Sequence, residues 1–373
     1  MVKKMKHAAL KHDIKTISES FEIYGDYISA EPYGSGHIND TYSASFNQGG
    51  TPINYIFQRI NHNIFKNPPA LMENIERVTT HIFNKIKGSA DATRHTLVII
   101  SSKDCKAFHQ DADGNFWRVY VFIEKAKTYD VIERETQAYQ AAKAFGEFQK
   151  DLVDLPGARL HETIPDFHNT PKRFEALEKA IASDIAGRVK LAGQEIDFVL
   201  KRKNDASLLL NLNAQGAIPE RITHNDTKLN NVMLDDKTGE GVCVIDLDTV
   251  MPGLVHYDFG DMVRTSTSPA AEDEKDVSKV KMQFNMFEAL LRGYLTSARD
   301  FLNPVEMEYL PFAGKLITME IGVRFLTDFL SGDVYFKVHR EGHNLDRCRT
   351  QFALVASIEK QMDQMMQLLK TIK

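Results

Sequence analysis

The sequence predicts an α+β fold in two parts: a small N-terminal lobe with an antiparallel sheet, then a larger and mainly helical C-terminal lobe. Three observations carry this. Short β-prone runs separated by glycine-bearing turns fill the first part, with one helical pattern inserted. Beyond Glu124 helical periodicity dominates. The length, 373 residues, suits two domains at roughly 150 residues each. We place the division at 1–122 and 123–373, where the run Phe122-Ile123-Glu124 passes from sheet texture to helix.

Leu10, Ile14, Ile17, Phe21 and Tyr24 recur at helical spacing and Gly25 follows as a stop, so an opening helix is expected. Strand, turn and strand come next: the turn Tyr33-Gly34-Ser35-Gly36, a β-prone segment Thr41 to Phe46, the turn Asn47-Gln48-Gly49-Gly50, and Tyr55 to Ile60. Pro68-Pro69 precedes a helix marked by Leu71, Ile75, Val78 and Ile82. Thr96 to Ile100, Lys106 to Gln110 and Phe116 to Glu124 read as strands, the last two joined across Asp113-Gly114. The helical half is interrupted at Leu155-Pro156-Gly157 and by the polar stretch Thr163 to Thr170. A small hairpin follows, Val232 to Leu234 and Gly241 to Ile245 around the turn Asp235 to Glu240. The chain closes on an amphipathic helix, Phe352 to Leu369, whose Met362, Met365 and Met366 are expected to pack in a core.

Apolar residues make up 43% and charged residues 26%, an ordinary globular balance that disfavours disorder or a coiled coil. The 46 Lys and Arg against 51 Asp and Glu leave a formal net charge of -5, so neither nucleic acid nor an anionic membrane is the expected partner. Cys105, Cys243 and Cys348 are widely spaced, with no CxxC pair, and read as reduced thiols of a cytoplasmic protein. No signal-peptide core is expected, because Lys11, His12 and Asp13 break the early apolar run. No run reaches the ~18 apolar residues of a membrane span. Oligomeric state is not encoded in these features, and a monomer is compatible with them.

The informative stretch is His224-Asn225-Asp226-Thr227-Lys228-Leu229-Asn230-Asn231, followed by Val244-Ile245-Asp246-Leu247-Asp248. Phosphoryl transfer needs strict placement of a carboxylate beside the attacking hydroxyl, hard oxygen ligands for magnesium, and cations on the phosphates. Asp226 in a polar loop is placed to accept the substrate proton. Asn231 enters the hairpin with an amide oxygen for a metal, and Asp246 ends an apolar strand with a carboxylate for the same ion. The expected metal is Mg2+.

The pattern His224, Asp226, Asn231, then an apolar strand ending in Asp246, resembles the catalytic loop and metal-binding Asp of the aminoglycoside phosphotransferase and choline kinase superfamily, relatives of the protein kinases. The longer text THNDTKLNNVMLD, VIDLDTVMPG and DFGDMVR, with YGSGHINDTY upstream and GVRFLTDFLSGDVYF downstream, is similar to the N-acetylhexosamine 1-kinases in particular. The resemblance spans positions 33 to 336. It implies a bilobal protein-kinase-like fold and ATP-dependent phosphorylation of N-acetylglucosamine or N-acetylgalactosamine at the anomeric hydroxyl. A small-molecule sugar is the partner this implies.

The remaining candidates follow from that frame. Asp258-Phe259-Gly260 spells the kinase magnesium motif but lies beyond Pro252-Gly253 with no hairpin to present it; Asp258 and Asp261 read instead as a helix N-cap. Asp248 is open between a second ion and a hydrogen bond to the loop. Lys228 matches a position where kinases put a cation on the transferring phosphate. Gly34, Ser35 and Gly36 would let backbone N–H groups approach nucleotide phosphates, although Asn39 stands at the third glycine position of GxGxxG. The family resemblance turns His37, Asn39 and Asp40 toward the acceptor sugar. Arg59 is the expected small-lobe cation, a departure from Lys shared with choline-kinase relatives, and Glu73 and Glu76, one helical turn apart, are equal candidates to pair with it. Phe122 and Glu124 flank the expected adenine hinge. By resemblance, Arg324 and Tyr335 bind the acceptor, with a structural salt bridge the rival role for Arg324. Phe167 to Thr170 is open between lining the sugar site and serving as a connector.

Overall fold

The computed structural model describes residues 10–34, 36 and 38–372, so Ser35 and His37 of the glycine turn lie outside the described residues. The chain divides into two compact units. The first runs to Ala126 and takes in Leu155–Thr163 and Cys243–Asp248; the second holds Lys127–Asp154, Ile164–Val242 and the chain from Thr249 onward.

The first unit contains α1 (Ile14–Ser18), β1 (Asp26–Pro32), β2 (Asp40–Gln48), β3 (Thr51–Ile60), α2 (Pro68–Ile86), α3 (Ala92–His95), β4 (Ile99–Ile100), β5 (His109–Gln110) and β6 (Phe116–Val121). Its sheet has the order β1-β2-β3-β6-β4, with β5 also pairing with β6, and every pairing is antiparallel. Period-two alternation assigns the faces. Tyr42, Ala44 and Phe46 on β2, Tyr55 and Phe57 on β3, and Trp117 and Val119 on β6 form one buried layer with Ile14 and Phe21. The opposite side of β6 carries Arg118 and Tyr120, also buried, with Met72 of α2 in contact with the Arg118 guanidinium. As expected from its prolines and apolar stripe, α2 begins at Pro68, is capped by Asn67, whose side chain accepts from the Ala70 N–H at 3.2 Å, and buries Leu71, Ile75, Val78 and Ile82.

The opening helix is shorter than its periodicity implied. It ends at Ser18 because Phe21 leaves helical spacing to bridge Ser102, with the Glu22 N–H donating to the Ser101 carbonyl at 2.9 Å, and so seats its ring against Phe57. Burial of an aromatic side chain outweighs one further helical turn. Gly25 does not stop this helix. It precedes β1 at φ 92°, where a Cβ would lie 2.2 Å from the Asn47 carbonyl oxygen.

After β7 (Ala126–Lys127) the second unit is mainly helical: α4 (Glu135–Asp151), α5 (Thr170–Ser183), α6 (Gly193–Leu200) and α7 (Leu208–Ala214). Then come β8 (Arg221–Thr223), β9 (Val232–Asp235), β10 (Gly241–Val244), whose end runs on into the Cys243–Asp248 stretch, and β11 (Met251–Gly253). The unit is completed by α8 (Val255–Ser266), α9 (Phe284–Ala298), α10 (Pro304–Glu308), α11 (Leu310–Leu330) and α12 (His343–Thr371). α11 is buried on nearly every side, among them Leu316, Met319, Val323 and Leu326, which explains its all-round apolar sequence. The final helix starts nine residues before the expected Phe352, at His343. Its first turns bury Leu345 and Cys348 but are otherwise polar, and side-chain pairing holds them as well, Asn344 with Asp328 at 2.8 Å and His343 with Asp273 at 3.0 Å. Met365 is fully buried, whereas Met362 and Met366 are only partly so. Among the described residues no helix is long and apolar enough to cross a membrane.

The approach of α4 to α9 depends on a missing side chain: a Cβ on Gly293 would meet the Tyr139 carbonyl oxygen at 2.2 Å. A backbone oxygen cannot move aside as a side chain can. We expect Gly293→Ala to lower stability by about 2–3 kcal/mol through overpacking, read as a fall in the urea midpoint; an unchanged midpoint would show that these helices separate freely.

Candidate active site

The loop His224–Asn231 lies in the second unit, between β8 and the short turn that leads into β9. Its start is fixed by the antiparallel ladder of β8 with β11, Thr223 facing Met251 and Arg221 facing Gly253. Its course is then set by one buried carboxylate. Asp258, fully buried in α8, accepts the N–H of His224 at 2.9 Å and that of Asn225 at 2.7 Å, and Gln149 Nε2 at 2.6 Å. Thr227 Oγ1 donates to the Asp258 carbonyl at 2.6 Å, and Thr249 Oγ1 to the His224 carbonyl at 2.7 Å. Asn225 takes a left-handed backbone, φ 66°, and donates its side-chain amide to the Thr249 carbonyl at 2.9 Å. Burial pushes the Asp258 carboxyl above its ordinary value, against the pull of His224 and the backbone donors. The helix-cap expectation for Asp258 is therefore corrected: α8 already begins at Val255 after Leu254, and the carboxylate reaches outward to the loop.

This frame presents Asp226. Its Oδ1 meets Lys228 Nζ at 2.7 Å, and its Oδ2 and carbonyl oxygen accept Asn231 Nδ2 at 3.2 and 2.7 Å. Burial alone would raise the Asp226 carboxyl, but Lys228, His224 and Arg264 together outweigh it and hold the group below its ordinary value, hence ionised at neutral pH. Lys228 is correspondingly held above its own ordinary value, burial being outweighed by Asp226 and Asp261. Because the Asn231 amide nitrogen is committed to Asp226, Oδ1 is the atom it leaves for a cation. Asp246, in the first unit, stands two residues beyond β10 in a left-handed conformation, φ 58°. An amide oxygen and a carboxylate are each hard donors of the kind magnesium takes. Among the described residues no group of three or more His, Cys, Asp and Glu forms a metal cage.

The sequence leaves Phe167 to Thr170 open between lining the sugar site and a connector, and the structure joins His168 of that stretch to this loop. Its ring is buried between the Asn225 carbonyl, 3.2 Å from Nε2, and Glu320 Oε1, 2.9 Å from Nδ1. Thr170 Oγ1 donates to the other Glu320 oxygen at 2.6 Å. Burial would raise the Glu320 carboxyl, but His168 and Thr170 hold it below its ordinary value. The stretch Phe167 to Thr170 thus supports the His224–Asn231 loop, and Asn169 caps α5, its side chain accepting the Lys172 N–H at 3.2 Å.

One turn of α11 beyond Glu320, Arg324 makes no hydrogen bond or ion pair among the described residues. Its guanidinium lies 5.5, 6.0 and 5.6 Å from the ring centroids of Phe167, Tyr335 and Phe336. The salt-bridge role for Arg324 is absent. Tyr335 is 69% exposed. Arg173 is close enough that burial and the Arg324 charge together lower its ordinary value, and its Nε is buried without a partner. Sequence reading missed this second cation.

In the first unit, Gly34 takes φ 80°, and a Cβ on Gly34 or Gly36 would meet nothing within 4 Å among the described residues. Arg59 does not pair with α2. Its Nε donates to Asp40 Oδ2 at 2.5 Å, where Lys11 and His12 also bind. Burial would raise the Asp40 carboxyl, but hydrogen bonds from Arg59, Lys11 and His12, with the Arg59 charge, hold it down at about 2. Glu73 instead faces His161 Nε2 at 2.9 Å, so the expected Arg59–Glu73 pair gives way to two separate ones, and no ion pair links Arg59 to Glu76 either. The reason is register: Asp40 lies directly across the strand pair from Arg59. The buried small-lobe cation is Arg118, which pairs with Asp248 and donates from Nε to Gln58 at 3.0 Å. A lone arginine in the apolar strand Trp117-Arg118-Val119 was the available signal. At the expected hinge, the Glu124 carbonyl accepts Arg94 Nε at 3.2 Å and its side chain accepts Asn54 Nδ2 at 2.9 Å. The Tyr33 ring meets Phe122 edge-on at 5.5 Å. Among the described residues nothing hydrogen-bonds to the backbone of Ile123 between them.

The model of the phosphotransferase enzyme family matches residues 29–279, well over half of the chain. The chain belongs to that family. Its fold is shared with an aminoglycoside phosphotransferase from Alicyclobacillus acidocaldarius, at TM-score 0.62 and 10% identity, over 98% of this chain and 100% of that one. A spectinomycin phosphotransferase solved with ADP and spectinomycin is similar at TM-score 0.58 and 13% identity, over 94% and 97% of the two chains. Choline kinase from Cryptosporidium parvum is similar at TM-score 0.57 and 15% identity, over 96% and 98%. The α+β expectation, sheet in the N-terminal part and helices in the C-terminal part, holds for this phosphotransferase.

Removing the Asp258 carboxylate would strand two backbone N–H groups and the Gln149 amide in the interior. At roughly 1–3 kcal/mol for each unsatisfied group, Asp258→Ala should cost at least about 3 kcal/mol of stability. Asp246→Asn, which keeps a residue tolerant of left-handed backbone, should shift stability by less than about 1 kcal/mol. Urea titration of both variants checks the contrast, and equal losses would remove Asp258 from its place as the loop's anchor.

Proposed function

We propose that this phosphotransferase moves the γ-phosphoryl group of ATP to the anomeric hydroxyl of an N-acetylhexosamine, N-acetylglucosamine or N-acetylgalactosamine, releasing the sugar 1-phosphate. The observation that carries the reading is the ionised Asp226 carboxylate, bracketed by Lys228 and Asn231 on a loop that α8 holds rigid. Asp226 orients the hydroxyl and takes its proton. The anomeric hydroxyl is more acidic than its ring neighbours, which eases proton transfer to a carboxylate held below its ordinary value. Attack occurs at phosphorus, and the sugar keeps the configuration of the bound anomer.

Asn231 Oδ1 and the Asp246 carboxylate would hold magnesium, which when bound neutralises charge on the phosphate oxygens. Lys228, 45% exposed, reaches from Asp226 toward the transferring group. Gly34, Ser35 and Gly36 and the backbone of Ile123, flanked by Phe122 and Glu124, supply N–H and carbonyl groups to the phosphates and to adenine. Arg324 and Tyr335 take the acceptor. The rings of Phe167, Tyr335 and Phe336 already surround a protein cation, which repels an ammonium-bearing acceptor and favours a neutral sugar rich in oxygen acceptors over an amino alcohol. The cytoplasm is the proposed location, supported by three unpaired cysteine thiols, one exposed and two buried.

Asp226→Asn should reduce kcat by about 10²- to 10⁴-fold while calorimetry shows nucleotide still bound; near-native turnover would defeat the assignment. In the product, phosphorus-carbon coupling at carbon 1 is expected by NMR, and coupling at carbon 6 would make the enzyme a different sugar kinase. Arg324→Ala should raise the acceptor KM about tenfold or more, equivalent to about 1.4 kcal/mol, with the KM for ATP unchanged. An effect on ATP alone would move Arg324 out of the acceptor site.

A further inference from the structure

We propose that Asn39, Asp248 and Arg118 form a latch that fixes the exit of the glycine turn to the segment bearing Asp246, so that Asp248 is a positioning residue for nucleotide binding and not a second metal ligand. This rests on the reading above that the turn and Asp246 serve ATP.

All three residues belong to the first unit. Asp248 is 3% exposed and both its oxygens are engaged: Oδ1 accepts from the Arg118 guanidinium and Oδ2 accepts Asn39 Nδ2 at 2.7 Å. Arg118, 1% exposed, is itself braced by Gln58 Oε1 at 3.0 Å, and Gln58 Nε2 donates to Thr41 Oγ1 at 3.1 Å. On the other side Asn39 Oδ1 accepts the Asn61 N–H at 2.9 Å, and Asn61 Nδ2 donates to the Ile38 carbonyl at 3.1 Å. The Asn39 amide is therefore used at both ends.

Two consequences follow from charge and connectivity. A divalent ion on Asp248 would sit against a buried guanidinium bound to the same carboxylate, where like charges repel strongly in a medium of low polarity. Only Leu247, 2% exposed, separates Asp248 from Asp246, so anchoring Asp248 fixes where the left-handed turn at Asp246 begins. The asparagine at the third glycine position is thus the turn's tether, and a glycine there would loosen the turn instead of improving its grip on phosphate.

The test is to restore that glycine. In the full-length protein, Asn39→Gly should raise the KM for ATP and the Kd for MgADP about tenfold, leave the acceptor KM within twofold, and leave the thermal midpoint within a few degrees. Asn39→Ala, which loses the same two hydrogen bonds without freeing the backbone, should do the same. Asp248→Asn should also weaken nucleotide binding, and the double variant Asn39→Ala with Asp248→Asn should be little worse than Asp248→Asn alone, because the two act through one contact. At saturating ATP the magnesium requirement of Asn39→Gly should match that of the unaltered protein. Unchanged or tighter nucleotide binding in Asn39→Gly overturns the latch, as do additive losses in the double variant. Failure of the unaltered protein to phosphorylate any sugar defeats the proposed function instead, and MgADP calorimetry still decides the latch.

Discussion

The second unit is organised around the carboxylate of Asp258. Taking a carboxylate out of water is expensive unless donors surround it, and here the donors are two successive backbone N–H groups and a glutamine amide. Ordering those N–H groups fixes the backbone at His224 and Asn225, which fixes the direction in which Asp226 leaves the loop. The helix that carries Asp258 is packed against α11 through Gly260, where a Cβ would stand 2.5 Å from the Ala313 carbonyl oxygen. The position of the loop is thereby inherited from helix packing, the most rigid element available. His168 and Glu320 add a second hold on the same loop from α11.

The first unit solves a similar problem with a buried ion pair. Arg118 and Asp248 are both almost wholly buried, and such a pair contributes little net stability against well-packed apolar residues. Its retention makes sense as a geometric device, since a bonded pair tolerates fewer arrangements than an apolar contact does. The surrounding donors and acceptors, Gln58, Thr41, Asn39 and Asn61, extend the pair into a hydrogen-bonded network.

Local signals in the sequence were read well where they were strong and short-ranged. The hairpin of β9 and β10 was legible because two apolar runs flank a polar turn, and α2 because two prolines precede a clean stripe. The start of α12 was not, since its first turns are stabilised by partners as distant as Asp273 and Asp328. The residue types of the catalytic loop were visible for the same reason that a motif is visible: chemistry fixes their spacing. The supports of that loop were not, because Asp258 and His168 reach it only through tertiary register, and the Asp-Phe-Gly spelling around Asp258 pointed to a different chemistry. Arg59 shows the converse. Its type was right for a phosphate cation, but the residue opposite it on β2 claimed it first.

Two residues of the candidate site, Asn225 and Asp246, sit in left-handed backbone, a region that glycine, asparagine and aspartate enter far more readily than other side chains. This narrows the routes by which the protein can drift. At position 246 a glutamate would preserve charge and violate the backbone, whereas an asparagine would preserve the backbone and discard the charge. Chemical similarity and conformational similarity therefore point in opposite directions. A lineage released from selection for turnover would accumulate asparagine there with its architecture intact, and such descendants would persist as folded, silent copies of the enzyme.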